Sequence, residues 1–286
     1  MKKNIYITLL ALMVVGVALQ SCQNRAATDK PQIIATIAPV KYLVDQIVGD
    51  DFEVSVLVPA GVSPETFDPT PKQFSTLSEA EAVVAVGLID FESNILSRIE
   101  GKSRLVNLSA GVDLIAGCCS NKHHAHGGID PHIWTSPMQL QIMAQNLYTS
   151  LAELYPDSLH YRTAYLDLQA RLEELDNKVT GMLLASDVDC FVIYHPAYTY
   201  FARDYNIEQV AIEDEGKEPS ARRIGQIIDR AREQGIARIL YQREFPASTV
   251  STIASDAAAQ ATEVNPLRED VVAQVEEFVT LISSKQ

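Results

Sequence analysis

The chain has 286 residues, 47% hydrophobic and 21% charged, with a formal net charge of −14. An acidic balance of that size argues against nucleic acid and anionic membrane surfaces as partners, and suits a body that attracts cations. The length exceeds a usual single core, so two domains are expected.

Lys2 and Lys3 precede an apolar run from Ile5 to Leu19, and "LQSC" ends at Cys22. A charged start, a short apolar stretch and small residues at its end describe an export signal over residues 1–21, too short for a comfortable transmembrane helix. The "LQSC" ending resembles a bacterial lipoprotein signal, which makes Cys22 the lipidated first residue and places the body outside the cytoplasm. Cleavage without a lipid, or a retained anchor, are the alternatives. Residues 22–31 are polar and read as a tether.

"IIATIAP" is a predicted buried strand, followed by a helix through "VKYLVDQIVGD". "FEVSVLVP", "AVVAVG" and "SRLVNLS" are three further strands. Tyr161, Tyr165, Leu168, Leu172, Leu175, Val179 and Met182 then step by fours and threes, one apolar stripe of a helix about 33 Å long. The strand rhythm returns with "CFVIY", a helix at "AYTYFARDY" and a strand at "IEQVAI". "PSARRIGQIIDRAREQG" is a helix with Pro219 suited to its first turn. "ARILYQ", a helix near "ASTVSTIASDAAAQ", "TEV" and a last helix complete the chain. The fold class is α/β. Two Rossmann-like lobes, 32–155 and 186–286, each have a mainly parallel sheet flanked by helices, and one long rigid helix over 156–185 joins them.

Cys118 and Cys119 are adjacent and Cys190 stands alone, so no disulfide framework is expected. Cys190 reads as a small buried hydrophobe.

Four stretches at strand ends attract chemistry, because open α/β sheets bind ligands there. "VPAGVSPETFDPTPKQF" carries four prolines, one glycine and two acids before its lysine, a rigid turn that fixes the direction of Glu65. "GGIDPHIWTSP" holds His132 between a proline and an Ile–Trp pair, with a packed loop histidine as the competing reading. His195 follows "FVIY" at a strand-to-helix junction, and Pro196 fixes the chain behind it. Glu244 and Asn265 each follow a short strand of the second lobe. Together these suggest a divalent metal gripped between lobes, with Glu65 and His132 from the first and His195 and one further group from the second. Two imidazoles with one or two carboxylates suit Zn²⁺, and also Mn²⁺ or Fe²⁺.

The chain also resembles the zinc- and manganese-binding lipoproteins of ABC importers, the cluster A-I (cluster 9) family, and most closely its zinc-binding members. "IIATIAPVKYLVDQIVGDDFEVSVLVPAGVSPETFDPTP", "DPHIW", the long helix, "HPAYTYFARDYNI" and "EPSARRI" carry that resemblance over nearly the whole chain beyond the signal. A histidine-rich loop over 117–128, just before "DPHIW", is similar to the zinc members. The resemblance implies high-affinity extracytoplasmic binding of a metal ion, most closely Zn²⁺, by a protein that is not an enzyme. It implies delivery to a membrane permease by a lipid-anchored monomer. His132 and His195 match two family ligands. Glu65 stands where the family usually has a histidine, and Asn265 where it commonly has an aspartate. An Asn carbonyl is a weak neutral ligand, so Glu244 is the expected fourth ligand and Asn265 the alternative. His123, His124 and His126 lie on a glycine-ended loop whose ordering is costly. They read as a weak accessory collector beside the tight site. Affinity is expected to fall as pH drops through the histidine range.

Competing readings are a manganese- or iron-specific member of the same family, a secreted zinc hydrolase and a surface adhesin. The hydrolase lacks an HExxH helix and a nucleophile elbow.

Overall fold

The computed structural model describes residues 30–99, 101–116, 128–213, 217–245 and 247–284, and every element lies within the unit Pro31–Gln286. The first half contains β1 (Gln32–Ala35), α1 (Ala38–Val48), β2 (Glu53–Val56), α2 (Pro71–Glu79), β3 (Ala82–Ala85), α3 (Asp90–Ile99) and β4 (Arg104–Asn107). Its strands pair in parallel in the order β2-β1-β3-β4. The inner strand β3, Ala-Val-Val-Ala, is buried at every residue, as a strand covered on both faces must be.

Helices α4 (Pro137–Leu154) and α5 (Leu159–Ser186) follow. The second half repeats the first plan with β5 (Cys190–Ile193), α6 (Thr199–Asp204), β6 (Glu208–Ala211), α7 (Ala221–Glu233), β7 (Arg238–Gln242), α8 (Ala247–Asp256), β8 (Gln260–Val264) and α9 (Val271–Ser283). Its strands are again all parallel, in the order β6-β5-β7-β8. In both sheets the winding reverses beside the first strand, and the loops leaving the carboxyl ends there diverge to open a crevice.

Helix α5 has 28 residues, about 42 Å at the standard rise, and links the two halves. Tyr161, Tyr165, Leu168 and Leu172 pack into the first core, while Leu175, Val179 and Leu183 pack into the second. The stripe therefore ends on Leu183, with Met182 only half-buried. A step of four after Val179 keeps the side chain on the buried face, where a step of three drifts off it.

Other details differ from the sequence reading. Pro219 lies outside α7: Ser220 caps that helix, its side chain accepting from the Arg223 N–H. The stretch after Glu65 is not turn alone, because Pro71 is the first residue of α2. Helices α3 and α4 were not anticipated either. Cys190 is buried, and its thiol donates to Gln234 Oε1 at 2.8 Å.

The export signal, Cys22, Cys118, Cys119, His123, His124 and His126 lie outside the described residues. Among the described residues, no helix is long and apolar enough to cross a membrane.

Candidate metal centre

Glu65 reaches the crevice on a short 3-10 turn, Pro64–Thr66, that follows β2. Pro64 starts that turn with its φ already fixed, and Ser63 Oγ accepts the Glu65 N–H at 3.3 Å. The Glu65 side chain is 36% exposed, so it forms the wet wall of the site.

His132 stands at the head of a second 3-10 turn, Ile133–Thr135. Asp130 Oδ1 accepts both the His132 backbone N–H and its ring Nδ1–H, each at 2.9 Å. Trp134 is buried, and its Nε1–H donates to the Pro266 carbonyl at 2.9 Å, which ties the turn to the second half of the chain.

His195 lies two residues beyond the end of β5. Its Nδ1 pairs with Glu213 Oε1 at 2.8 Å, and its ring stacks on Phe245 with centroids 5.0 Å apart and planes 16° from parallel. Both orienting carboxylates are acceptors, so each histidine directs an Nδ1–H at its carboxylate and turns Nε2 toward the crevice.

The two Nε2 atoms lie 3.4 Å apart, and Glu65 Oε1 is 3.7 Å from His132 Nε2 and 3.1 Å from His195 Nε2. Ligands about 2.0–2.1 Å from a tetrahedral zinc ion are separated by about 3.3–3.4 Å. The three observed edges bracket that value, so the donors already have the spacing a small divalent cation needs. Among the described residues they are the one group of three such side chains gathered closely enough to hold an ion.

Electrostatics point the same way. Burial disfavours a charge on His195, but hydrogen bonds to Glu213 and Glu65 outweigh it and raise its pKa to about 10. Burial also opposes the Asp130 carboxylate, yet the charge and hydrogen bonds of His132 hold it below the usual range. The centre is built to hold positive charge.

Of the other residues singled out in the sequence, Glu244 lines the crevice with Phe245, Pro266 and Leu267 but stays outside the three-donor group. Asn265 is exposed, and its Oδ1 accepts the Leu267 N–H at 3.0 Å, a turn-capping contact rather than one into the crevice. Asp130 and Glu213 were missed. Asp130 sits in the same "DPHIW" as His132, a signal within reach; Glu213 lies in an acid-rich loop with nothing to mark it.

Residues 33–285 match the ZnuA family, described as "Zinc-uptake complex component A periplasmic". The zinc-binding protein AdcA of Streptococcus pyogenes serotype M3 is 28% identical over 294 residues, 93% of this chain and 56% of that protein. The high-affinity zinc uptake system protein ZnuA of Bacillus subtilis is 28% identical over 261 residues, 84% of this chain and 79% of that protein. The chain thus spans about half the length of the streptococcal relatives and most of the bacillary one. A crystal structure of ZnuA superposes with a TM-score of 0.82 at 33% identity, covering 90% of this chain and 99% of that one. A zinc-bound deletion mutant of ZnuA gives 0.81 at 32% identity, covering 90% and 98%. The periplasmic zinc-binding protein TroA of Treponema pallidum shares the fold, with a TM-score of 0.78 at 19% identity over 89% of this chain and 98% of that one.

Proposed function

The chain belongs to the ZnuA family of periplasmic zinc-uptake components, and from that premise we propose that it captures Zn²⁺ outside the cytoplasm and hands it to an ABC import permease. Zinc is the cargo, bound and released without a reaction. The observation that carries this reading is the convergence of Glu65, His132 and His195, two buried neutral-capable imidazoles and one carboxylate at ion-binding separations. In the proposal the imidazoles supply affinity, and the more exposed Glu65 offsets charge and opens the route for release. Glu244, already lining the crevice, is the proposed fourth ligand after a local shift, with Asn265 the weaker alternative.

The rest of the proposal follows the sequence. Cys22 carries a lipid that holds a monomer at the membrane, and His123, His124 and His126 collect ions weakly beside the tight site. The lobes are 32–155 and 186–286, and the linking segment 156–185, which holds most of α5, limits their closure, so release proceeds through small movements of the turns bearing Glu65 and His132.

The test is a competitive titration of residues 23–286 with Zn²⁺ and Mn²⁺ against a chelator of known affinity, repeated on Glu244→Ala and on a variant lacking residues 123–126. Tight zinc binding that survives the loop deletion and weakens in Glu244→Ala supports the whole assignment. Preference for Mn²⁺, which a carboxylate in place of a family imidazole favours, moves the cargo from zinc to manganese. No tight binding of either ion overturns the capture reading.

A further inference from the structure

His195 is held by more than its ring. Strand β5 pairs with β7 through Val192 opposite Ile239 and Ile193 opposite Leu240, and the Tyr194 N–H still reaches the Leu240 carbonyl at 2.9 Å. At the next residue the backbone ladder stops, and a side chain continues it. Gln242, the last residue of β7, donates from Nε2 to the His195 carbonyl at 2.9 Å and accepts the His195 N–H on Oε1 at 3.4 Å. Only one orientation of the amide satisfies a donor and an acceptor together, so the pairing fixes how Gln242 points. Gln242 is 2% exposed, deep enough that both bonds are sheltered from water.

This amide rung has a consequence for the metal centre. With its peptide clamped by Gln242, its Nδ1 by Glu213 and its ring face by Phe245, His195 has no soft torsion left. Glu65 has no comparable burial. We infer that Gln242 is a positioning residue that sets zinc affinity by fixing the backbone from which His195 presents Nε2, without touching the ion. A ligand held in place before binding loses less entropy on binding, and removing outer partners of a metal ligand typically costs about 10–100-fold in affinity.

The inference rests on the zinc-capture reading, and its test separates the two. Zinc affinity by chelator competition and the visible absorption of the Co²⁺-loaded protein are measured for the parent, Gln242→Met and Gln242→Asn, with apo thermal unfolding as a check on folding. Methionine keeps the length and apolar bulk but removes both hydrogen bonds, and asparagine keeps an amide too short to span the pair. Both variants are expected to bind zinc about 10–100-fold more weakly and to show an altered Co²⁺ band, because the imidazole is no longer held at one angle. A role in folding alone lowers the unfolding temperature while leaving the folded protein's affinity and Co²⁺ band as in the parent. Affinity within about twofold and an unchanged band in both variants, with tight binding by the parent, overturn the inference and leave the capture reading standing. A parent that binds no zinc overturns both.

Discussion

His132 Nε2 and His195 Nε2 lie 3.4 Å apart although 63 positions separate them in the chain. Each is turned toward the other by a carboxylate on its far nitrogen: Asp130 for His132 and Glu213 for His195. Two imidazoles so close repel if both are protonated, and a shared cation removes that conflict.

The orienting carboxylates should therefore matter to binding although they face away from the ion. Asp130→Ala and Glu213→Ala are expected to weaken zinc binding by about 10–100-fold. His160→Ala provides the control, because His160 is exposed and pairs with Asp51 at 2.9 Å, away from the crevice. Chelator competition on the three variants checks this, with His160→Ala staying within about twofold of the parent, as a surface pair of small worth requires.

Trp134 is the sole tryptophan and lies two residues beyond His132, buried, with its ring 5.1 Å from the imidazole. Zinc binding is expected to change its emission, saturating with the tight site. Parent protein and His132→Ala, titrated side by side by fluorescence, should differ: the signal disappears in the variant. A signal that survives there would mean the ion sits elsewhere.

The pH dependence has a definite sign. The hydrogen bonds that raise His195 to about 10 stabilise its protonated form, whereas the metal needs it neutral. Below pH 10 zinc must displace that proton, so affinity should keep rising with pH past the ordinary histidine range. Without metal the linkage runs the other way. The stabilisation that His195 gives the fold is fully present below its unfolded value of 6.5 and is lost as pH climbs toward 10. Calorimetry at pH 8 in two buffers of different ionisation heat measures the proton released, expected to be close to one per zinc.

Glu92 tests the scaffold instead of the site. Its buried carboxylate accepts the Thr36 hydroxyl at 2.6 Å and the N–H groups of Val86, Gly87, Leu88 and Ile89 at 3.0, 2.7, 3.2 and 3.1 Å. That ring of donors pins the loop that puts Ile89 against the crevice. Glu92→Gln turns an amide N–H₂ toward the same donors, and a loss of about 3 kcal/mol is expected in urea unfolding. Gly87 in that loop has φ of 86°, and a Cβ there would meet Asn107 Oδ1 at 2.2 Å, so Gly87→Ala should also destabilise the protein.

Much of this was legible in the chain, for identifiable reasons. Buried parallel strands carry unbroken apolar runs, so "AVVA" and "CFVI" announce themselves. His195 stands at a strand end before a proline, and His132 follows a glycine pair. Proline misled where it begins a helix: Pro71, the first residue of α2, reads as turn chemistry, and Pro137, the first residue of α4, drew no helix reading. The Thr70–Gln73 capping box was nonetheless present in "TPKQ". Glu213 and Gln242 were not legible. Their roles depend on which strand end the sheet places beside His195, and β6 and β7 reach it from 18 and 47 residues away.

X-ray absorption at the zinc edge, on protein loaded with one equivalent, tests the central assignment most directly. The account predicts two imidazoles and oxygen donors at about 2.0–2.1 Å, with one imidazole lost in His195→Ala. A sulfur shell at about 2.3 Å, or a spectrum that His195→Ala leaves unchanged, would place the ion on the cysteine- and histidine-bearing loop and contradict the account.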